Sequence, residues 1–312
     1  MLVTFERAGV IESVHSGLLV IVDGSGQVVF AAGDPETPIY PRSSVKPLQA
    51  AGMLAAGLEL SGSWLALASA SHSGEPFHLA AVQEMLARVG LGVEALRCPP
   101  DWPYALDASR AYIAAGHAES SLAMNCSGKH AAMLMTCVTR GWPLTSYLDA
   151  DHPLQVSLRE YVQAQAGPIL MSSVDGCGAP LWGLRLVNLA RAFAGLPESA
   201  PEVEAAMRAH PDYVGGTTRD VSQLMRAVPS LVTKDGAEAV QAIGVEVNGQ
   251  RFGIALKIAD GSDRARAVVA AEALRFLGVR SPVLDDLARV PVLGGGRPVG
   301  QLHMAPGVFG GT

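Results

Sequence analysis

The chain has 312 residues, enough for a packed core in one large domain or in two lobes sharing an interface. Hydrophobic residues at 49% and charged residues at 17% exclude intrinsic disorder, and a net charge of -6 without an arginine cluster argues against a nucleic-acid partner. Charges in residues 1–7 fall where a secretory leader needs its apolar stretch, and no apolar run is long enough to span a bilayer. A cytoplasmic protein without membrane contact is therefore expected. Its cysteines, Cys98, Cys126, Cys137 and Cys177, are too few for a disulfide scaffold at this length.

In chain order, residues 10–14 predict a strand, and 17–23 and 27–30 predict a pair joined by the turn Gly24-Ser25-Gly26. Helical periodicity follows at 79–89, 130–139, 153–165, 181–194 and 201–209. Two further strands, 239–247 and 250–258, flank Asn248-Gly249, a dipeptide that tolerates the positive φ of a hairpin turn. A helix is expected over 264–276, and the Pro/Gly-rich stretch 290–312 has no assignment. Strands from both ends with helices between them predict an α+β fold in a single catalytic domain over 1–312. Its antiparallel sheet draws on about 1–45 and 228–312, and about 46–227 form an inserted helical lobe. A cleft between sheet and lobe is the expected site.

The chain has four lysines, Lys46, Lys129, Lys234 and Lys257, against nineteen arginines. Lysine is a compact charge that can lose its proton when desolvated, so a site needing a neutral amine cannot accept arginine. Three of these lysines sit in short polar motifs. Lys46 ends Ser43-Ser44-Val45-Lys46, and Pro47 restricts a helix to beginning there, with Ser43 at its N-terminus. Backbone N–H groups at that position can stabilise an oxyanion, while Lys46 takes the serine proton. A helix cap beside a solvated lysine is the alternative. Ser69 to Glu75 (Ser-Ala-Ser-His-Ser-Gly-Glu) and Lys234-Asp235-Gly236 complete, in chain order, the pattern of serine β-lactamases and penicillin-binding proteins.

Asn125-Cys126-Ser127-Gly128-Lys129-His130 and Val174-Asp175-Gly176-Cys177-Gly178 place two thiols, a lysine and a histidine in Gly-containing loops, a set that suits zinc. Without a C-x-x-C pair, two unrelated buried cysteines remain the alternative. A phosphate loop is discarded because position 123, where its first glycine belongs, is alanine.

In these motifs, and in Arg42-Ser43-x-x-Lys46-Pro47, Asp151-His152-Pro153 and Lys257-Ile258-x-Asp260-Gly261, the chain resembles the Rhizobium-type (class 3) L-asparaginases, which share the serine β-lactamase and glutaminase fold. The resemblance runs to about residue 280. It implies hydrolysis of L-asparagine by two Ser-Lys tandems, Ser43 with Lys46 and Ser71 with Lys234, through an acyl-enzyme. It further implies a zinc ion held by Cys126, Lys129 and Cys177, and a substrate site lined by Arg42, His130 and Asp175. A homodimer is the expected assembly. One departure is Asp235 in the middle of the Lys-x-Gly motif, a carboxylate that would keep Lys234 protonated.

Overall fold

The computed structural model describes residues 1–310. Strands β1 (Val3–Arg7), β2 (Val10–His15), β3 (Gly17–Asp23), β4 (Val28–Ala32) and β5 (Pro38–Ile39) precede helices α1 (Lys46–Ala55), α2 (Gly62–Ala68), α3 (Pro76–Arg88), α4 (Leu106–Ala114), α5 (Ser127–Arg140) and α6 (Pro153–Ala166). Strands β6 (Met171–Val174) and β7 (Pro180–Arg185) lead to α7 (Leu186–Ala194), α8 (Leu196–Ser199), α9 (Pro201–Ala209), α10 (Pro211–Gly215) and α11 (Asp220–Ala227). Last come β8 (Leu231–Gly236), β9 (Val240–Val247), β10 (Gln250–Ile258), α12 (Asp263–Phe276), α13 (Pro282–Ala288), β11 (Arg289–Gly294) and β12 (Arg297–Met304). The chain divides into two compact units, one of residues 1–44, 184–196 and 223 onward, the other of 45–183 and 197–222.

The first unit is built on an antiparallel sheet of order β4-β3-β10-β9-β8, in which strands from the two chain ends meet where β3 pairs with β10. The β9–β10 turn places Asn248 and Gly249 at φ +52° and +76°, the left-handed pair that their sequence predicts. Helix α7 packs on β3, β9 and β10. It comes this close because the cross-strand partners Gly244 and Gly253 leave a flat strip beneath it. A Cβ at Gly253 would stand 2.0 Å from the Ala190 carbonyl oxygen, and one at Gly244 would stand 2.4 Å from that of Phe193. A second sheet, β11-β12-β1-β2, gives the tail its place, since β12 pairs along the whole of β1 from Val3↔Met304 to Arg7↔Gly300. Gly311 and Thr312, the end of that tail, lie outside the described residues.

The second unit is helical and centred on α5, which touches α1, α2, α3 and α6 and is buried without interruption from Ser127 to Cys137. Its hairpin, β6 with Pro180–Gly183 of β7, carries Cys177 at the tip.

Two expectations are corrected. The helix expected over 181–194 begins only at Leu186, and Pro180–Arg185 form β7. Residues 180–184 are all buried, so the strand shows no alternation and its apolar run merges with that of α7. Residues 184–196, expected in the helical lobe, belong to the sheet unit because α7 covers the sheet.

Gly253→Ala should destabilise the protein by about 1–3 kcal/mol through overpacking, read as a lower urea midpoint. Gly249→Ala, where nothing lies within 4 Å of an added Cβ, tests backbone strain alone and should cost about 1 kcal/mol. Equal losses in the two variants would remove the close approach of α7 as the cause.

Candidate active site

Pro47 stands in the first turn of α1, where its missing N–H would have no partner in any case, and the short turn Arg42–Val45 leads into it. Lys46 opens this helix and is 1% exposed. Its Nζ donates to the Ala70 carbonyl oxygen at 2.5 Å, to Ser71 Oγ at 3.0 Å and to Cys126 Sγ at 3.0 Å. These acceptors match the three protons of an ammonium. A carbonyl can only accept, whereas a hydroxyl can also donate, so a proton can cross the Lys46–Ser71 contact in either direction. The sequence assigns these two residues to different tandems; the structure joins them directly.

Behind Ser71 stand two stacked imidazoles, His72 and His78, with ring centroids 5.0 Å apart. His72 Nε2 donates to Ser127 Oγ at 2.8 Å, whose own proton goes to the Leu122 carbonyl, while Nδ1 accepts from the Gly74 amide. His78 accepts from the Glu75 amide and donates to the Asp212 carbonyl at 2.9 Å. Burial drives the His72 pKa well below the ordinary histidine value and that of His78 to about 4, so both rings are neutral at pH 7.

Cys126 caps the N-terminus of α5, and Lys129 and His130 follow in its first turn. The hairpin tip, closed by the Asp175 amide on the Ala179 carbonyl at 2.9 Å, brings Cys177 within 3.2 Å of Lys129 Nζ. The Cys126 thiol donates to Asn125 Oδ1 at 3.0 Å. The neighbouring Cys126, with Lys129 and His130 acting against burial, lowers the Cys177 pKa below the ordinary thiol value. The same neighbourhood, reinforced by burial, raises that of Cys126. Burial opposes the charge on Lys129, yet Cys177, Cys126 and Asp175 together outweigh it and raise the pKa.

Tyr147, for which the sequence offers no motif, orients His130. Its hydroxyl accepts from the Arg97 amide at 3.0 Å and lies 2.7 Å from His130 Nδ1. Burial raises the pKa of the phenol, which therefore donates to Nδ1 and leaves the imidazole proton on Nε2. That buried nitrogen has no hydrogen bond of good geometry, although the Cys177 sulfur is near enough to favour its proton. His130 is fully buried and faces the thiol cluster.

Among the described residues, no three His, Cys, Asp or Glu side chains gather where they could hold a metal ion. A metal here would need Lys129 as a donor. With that amine the set fits, since two cysteine sulfurs share one buried cluster and the Lys129 amine lies 3.2 Å from one of them.

In the sheet unit, Ser43 is half-buried in the turn after Arg42, whose φ of +51° is strained for a residue with a side chain. Lys234 is fully buried on β8, and its Nζ meets Asp235 Oδ1 at 2.5 Å and the Asp235 carbonyl at 2.7 Å. A Cβ on Gly236 would lie 2.6 Å from the Pro41 carbonyl oxygen and 3.1 Å from the Ser43 amide, so only glycine lets this strand end against the serine turn. Lys257 binds the Glu238 and Ile258 carbonyls and holds the strand ends together.

The sequence profile of the L-asparaginase II family matches residues 3–304. The chain belongs to the L-asparaginase II family. No curated protein matches the sequence significantly. Among solved structures it is similar to Mglu in its native form in 4.3 M NaCl, at 16% identity and a TM-score of 0.37 over 83% of this chain and 60% of that one. Mglu in its glutamate form gives 17% and 0.35, over 85% of this chain and 61% of that one. A proposed beta-lactamase from Bacteroides dorei DSM 17855 gives 14% and 0.43, over 84% and 93%. The chain thus spans about three fifths of the Mglu chains. No helix in residues 1–310 is long and apolar enough to cross a membrane.

Between pH 6.5 and about 4, His78 binds a proton in the unfolded chain that it does not bind in the folded one. Stability therefore climbs with pH through that window, is fully present above it and is lost on acidification, by on the order of 3 kcal/mol from this residue. His72 acts in the same direction. The unfolding midpoint should fall between pH 7 and pH 4, and His78→Gln should flatten the slope. An unchanged slope in the variant would remove His78 from this role.

Proposed function

We propose that this L-asparaginase II family member hydrolyses the side-chain amide of L-asparagine, giving L-aspartate and ammonia through an acyl-enzyme. The observation that supports it most is the buried hydrogen bond of 3.0 Å between Lys46 Nζ and Ser71 Oγ. It couples an amine, set among a carbonyl, a hydroxyl and a thiol, to a hydroxyl that can pass on its proton.

Ser43 Oγ attacks the amide carbon and its proton goes to Lys46. Lys46 protonates Ser71, and Ser71 hands its own proton to the nitrogen that leaves as ammonia. Lys234, kept charged by Asp235, stabilises negative charge as the tetrahedral intermediate forms and collapses. Water then adds to the ester, Lys46 takes its proton, and that proton returns to Ser43 as aspartate leaves. Asp175 suits the substrate ammonium and Arg42 its carboxylate. His130 acts from behind, on the thiol cluster.

Cys126, Lys129 and Cys177 would hold a zinc ion, with loss of the Cys126 and Lys129 protons. Bound there, zinc supplies a fixed positive centre that fastens the hairpin carrying Asp175 to the first turn of α5.

Purified protein should release ammonia from L-asparagine faster than from L-glutamine. Saturable binding without ammonia would make it an amino-acid binder. Ser43→Ala should abolish release with the fold intact, and Lys46→Arg, which keeps charge but cannot become a neutral base, should lose at least ~10²-fold. Activity of Lys46→Arg within a few-fold of the parent would reduce Lys46 to a charge.

Protein prepared without chelator should contain about one zinc per chain by elemental analysis. Cys177→Ser should lower that content and is a cleaner probe than Cys126→Ser, because Cys126 also touches Lys46. Unchanged zinc in Cys177→Ser rejects the site.

A further inference from the structure

Residues Gly215–Arg219 run past the serine loop 71–75 and grip it at four points. The Ser73 hydroxyl donates to the Gly215 carbonyl at 2.5 Å. Glu75 accepts from the Thr217 amide at 2.8 Å and from its hydroxyl at 2.9 Å. Arg219 Nη1 donates to the carbonyl oxygen of Ser71 itself at 2.6 Å. Gly216, at φ +110°, permits this approach, because a Cβ there would sit 2.3 Å from Ser73 Oγ and 2.6 Å from Glu75 Oε1. The guanidinium is held in turn over the Tyr104 ring, 4.8 Å from its centroid.

The peptide around Ser71 is thus pinned carbonyl by carbonyl. Lys46 holds the Ala70 oxygen, Arg219 holds the Ser71 oxygen, and the His72 amide is tied to the Asn125 carbonyl at 3.0 Å. With consecutive peptide planes fixed, the Cα–Cβ direction of Ser71 is fixed as well, and with it the reach of Oγ toward Lys46. We propose that Arg219 is a positioning residue of the amidohydrolase site, acting through the Ser71 carbonyl and delivered by the Gly215–Arg219 strap. The proposal rests on the reading of Ser71 as a proton carrier. It does not require Arg219 to touch the substrate, so its removal should slow turnover and leave binding nearly unchanged, as misplacement of a reacting group does.

A cavity of about 500 Å³ lined by Glu75, Tyr104, Thr217 and Arg219 gives a small cation access to the position of the guanidinium. In Arg219→Ala, kcat for L-asparagine should fall at least ~10-fold with KM within about 3-fold. Millimolar guanidinium chloride should restore part of that kcat. Arg219→Lys, which keeps a donor and a charge, should lie between the variant and the parent. Gly216→Ala, which pushes the strap away while leaving Arg219 in the chain, should lower kcat without rescue by guanidinium, and it carries the test should Arg219→Ala not fold. Parental kcat in Arg219→Ala, a loss confined to KM, or a kcat loss that guanidinium leaves untouched would each overturn the proposal. Ser71→Ala separates the two readings: if it retains parental activity, the proton-carrier reading of Ser71 falls. If Ser71→Ala is inactive while Arg219→Ala is not, only the positioning role is lost.

Discussion

Three ammonium groups taken out of water organise this molecule. Lys46, Lys129 and Lys234 are 1%, 2% and 0% exposed, and a buried charge is tolerated only when every proton finds an acceptor. The solutions differ. Lys234 meets the Asp235 carboxylate, and Lys129 meets Cys177 at 3.2 Å, where the cysteines and Asp175 outweigh burial and raise its pKa. The partners of Lys46 are a carbonyl, a hydroxyl and a thiol that keeps its proton. A general base must pass through a neutral form, and of the three lysines only Lys46 has surroundings without an anion to oppose it. That contrast is what favours the proposed roles of Lys46 as base and Lys234 as fixed charge.

Much of this was legible because lysine is scarce. In a chain that uses arginine almost everywhere, the lysines in polar motifs are those whose environment cannot accept a planar, permanently charged fork, and all three prove buried. The sheet was legible through its turns, above all Asn248-Gly249. What escaped lacked local signal. Strand β7 is buried on both faces and so reads as part of the helix after it. The tail strands β11 and β12 are only lightly buried, and β12 is placed in its sheet by β1, some three hundred residues away. The strap 215–219 carries no chemical motif. Its Gly215-Gly216 pair allows a close approach, but the residues approached, Ser73 and Glu75, are far off in sequence.

The neutrality of His72 and His78 belongs to the same economy of charge. Each ring accepts from one backbone amide and donates one proton, to a hydroxyl or to a carbonyl, so each works as a rigid polar spacer. A charged imidazole would place a second cation behind Ser71, close to Lys46 and Arg219, whose fields already disfavour it on His72. The wall is therefore polar enough to fix the loop and neutral enough to leave the lysine chemistry undisturbed. The loss of stability in acid is the cost of that choice.

Cys126 ties these arrangements together. Its sulfur lies 3.0 Å from Lys46 Nζ and from Asn125 Oδ1, and it is electrostatically coupled to Cys177, so it belongs at once to the surroundings of Lys46 and to the thiol cluster. While Cys126 keeps its proton, Lys46 faces a neutral group; once Cys126 loses it, Lys46 faces an anion or a metal-bound sulfur. A single sulfur thus joins the thiol cluster to Lys46. Serine at position 126 would alter both neighbours together, whereas serine at 177 reaches Lys46 only through Cys126. That difference in connectivity makes Cys177 the residue at which the cluster can be perturbed apart from the base.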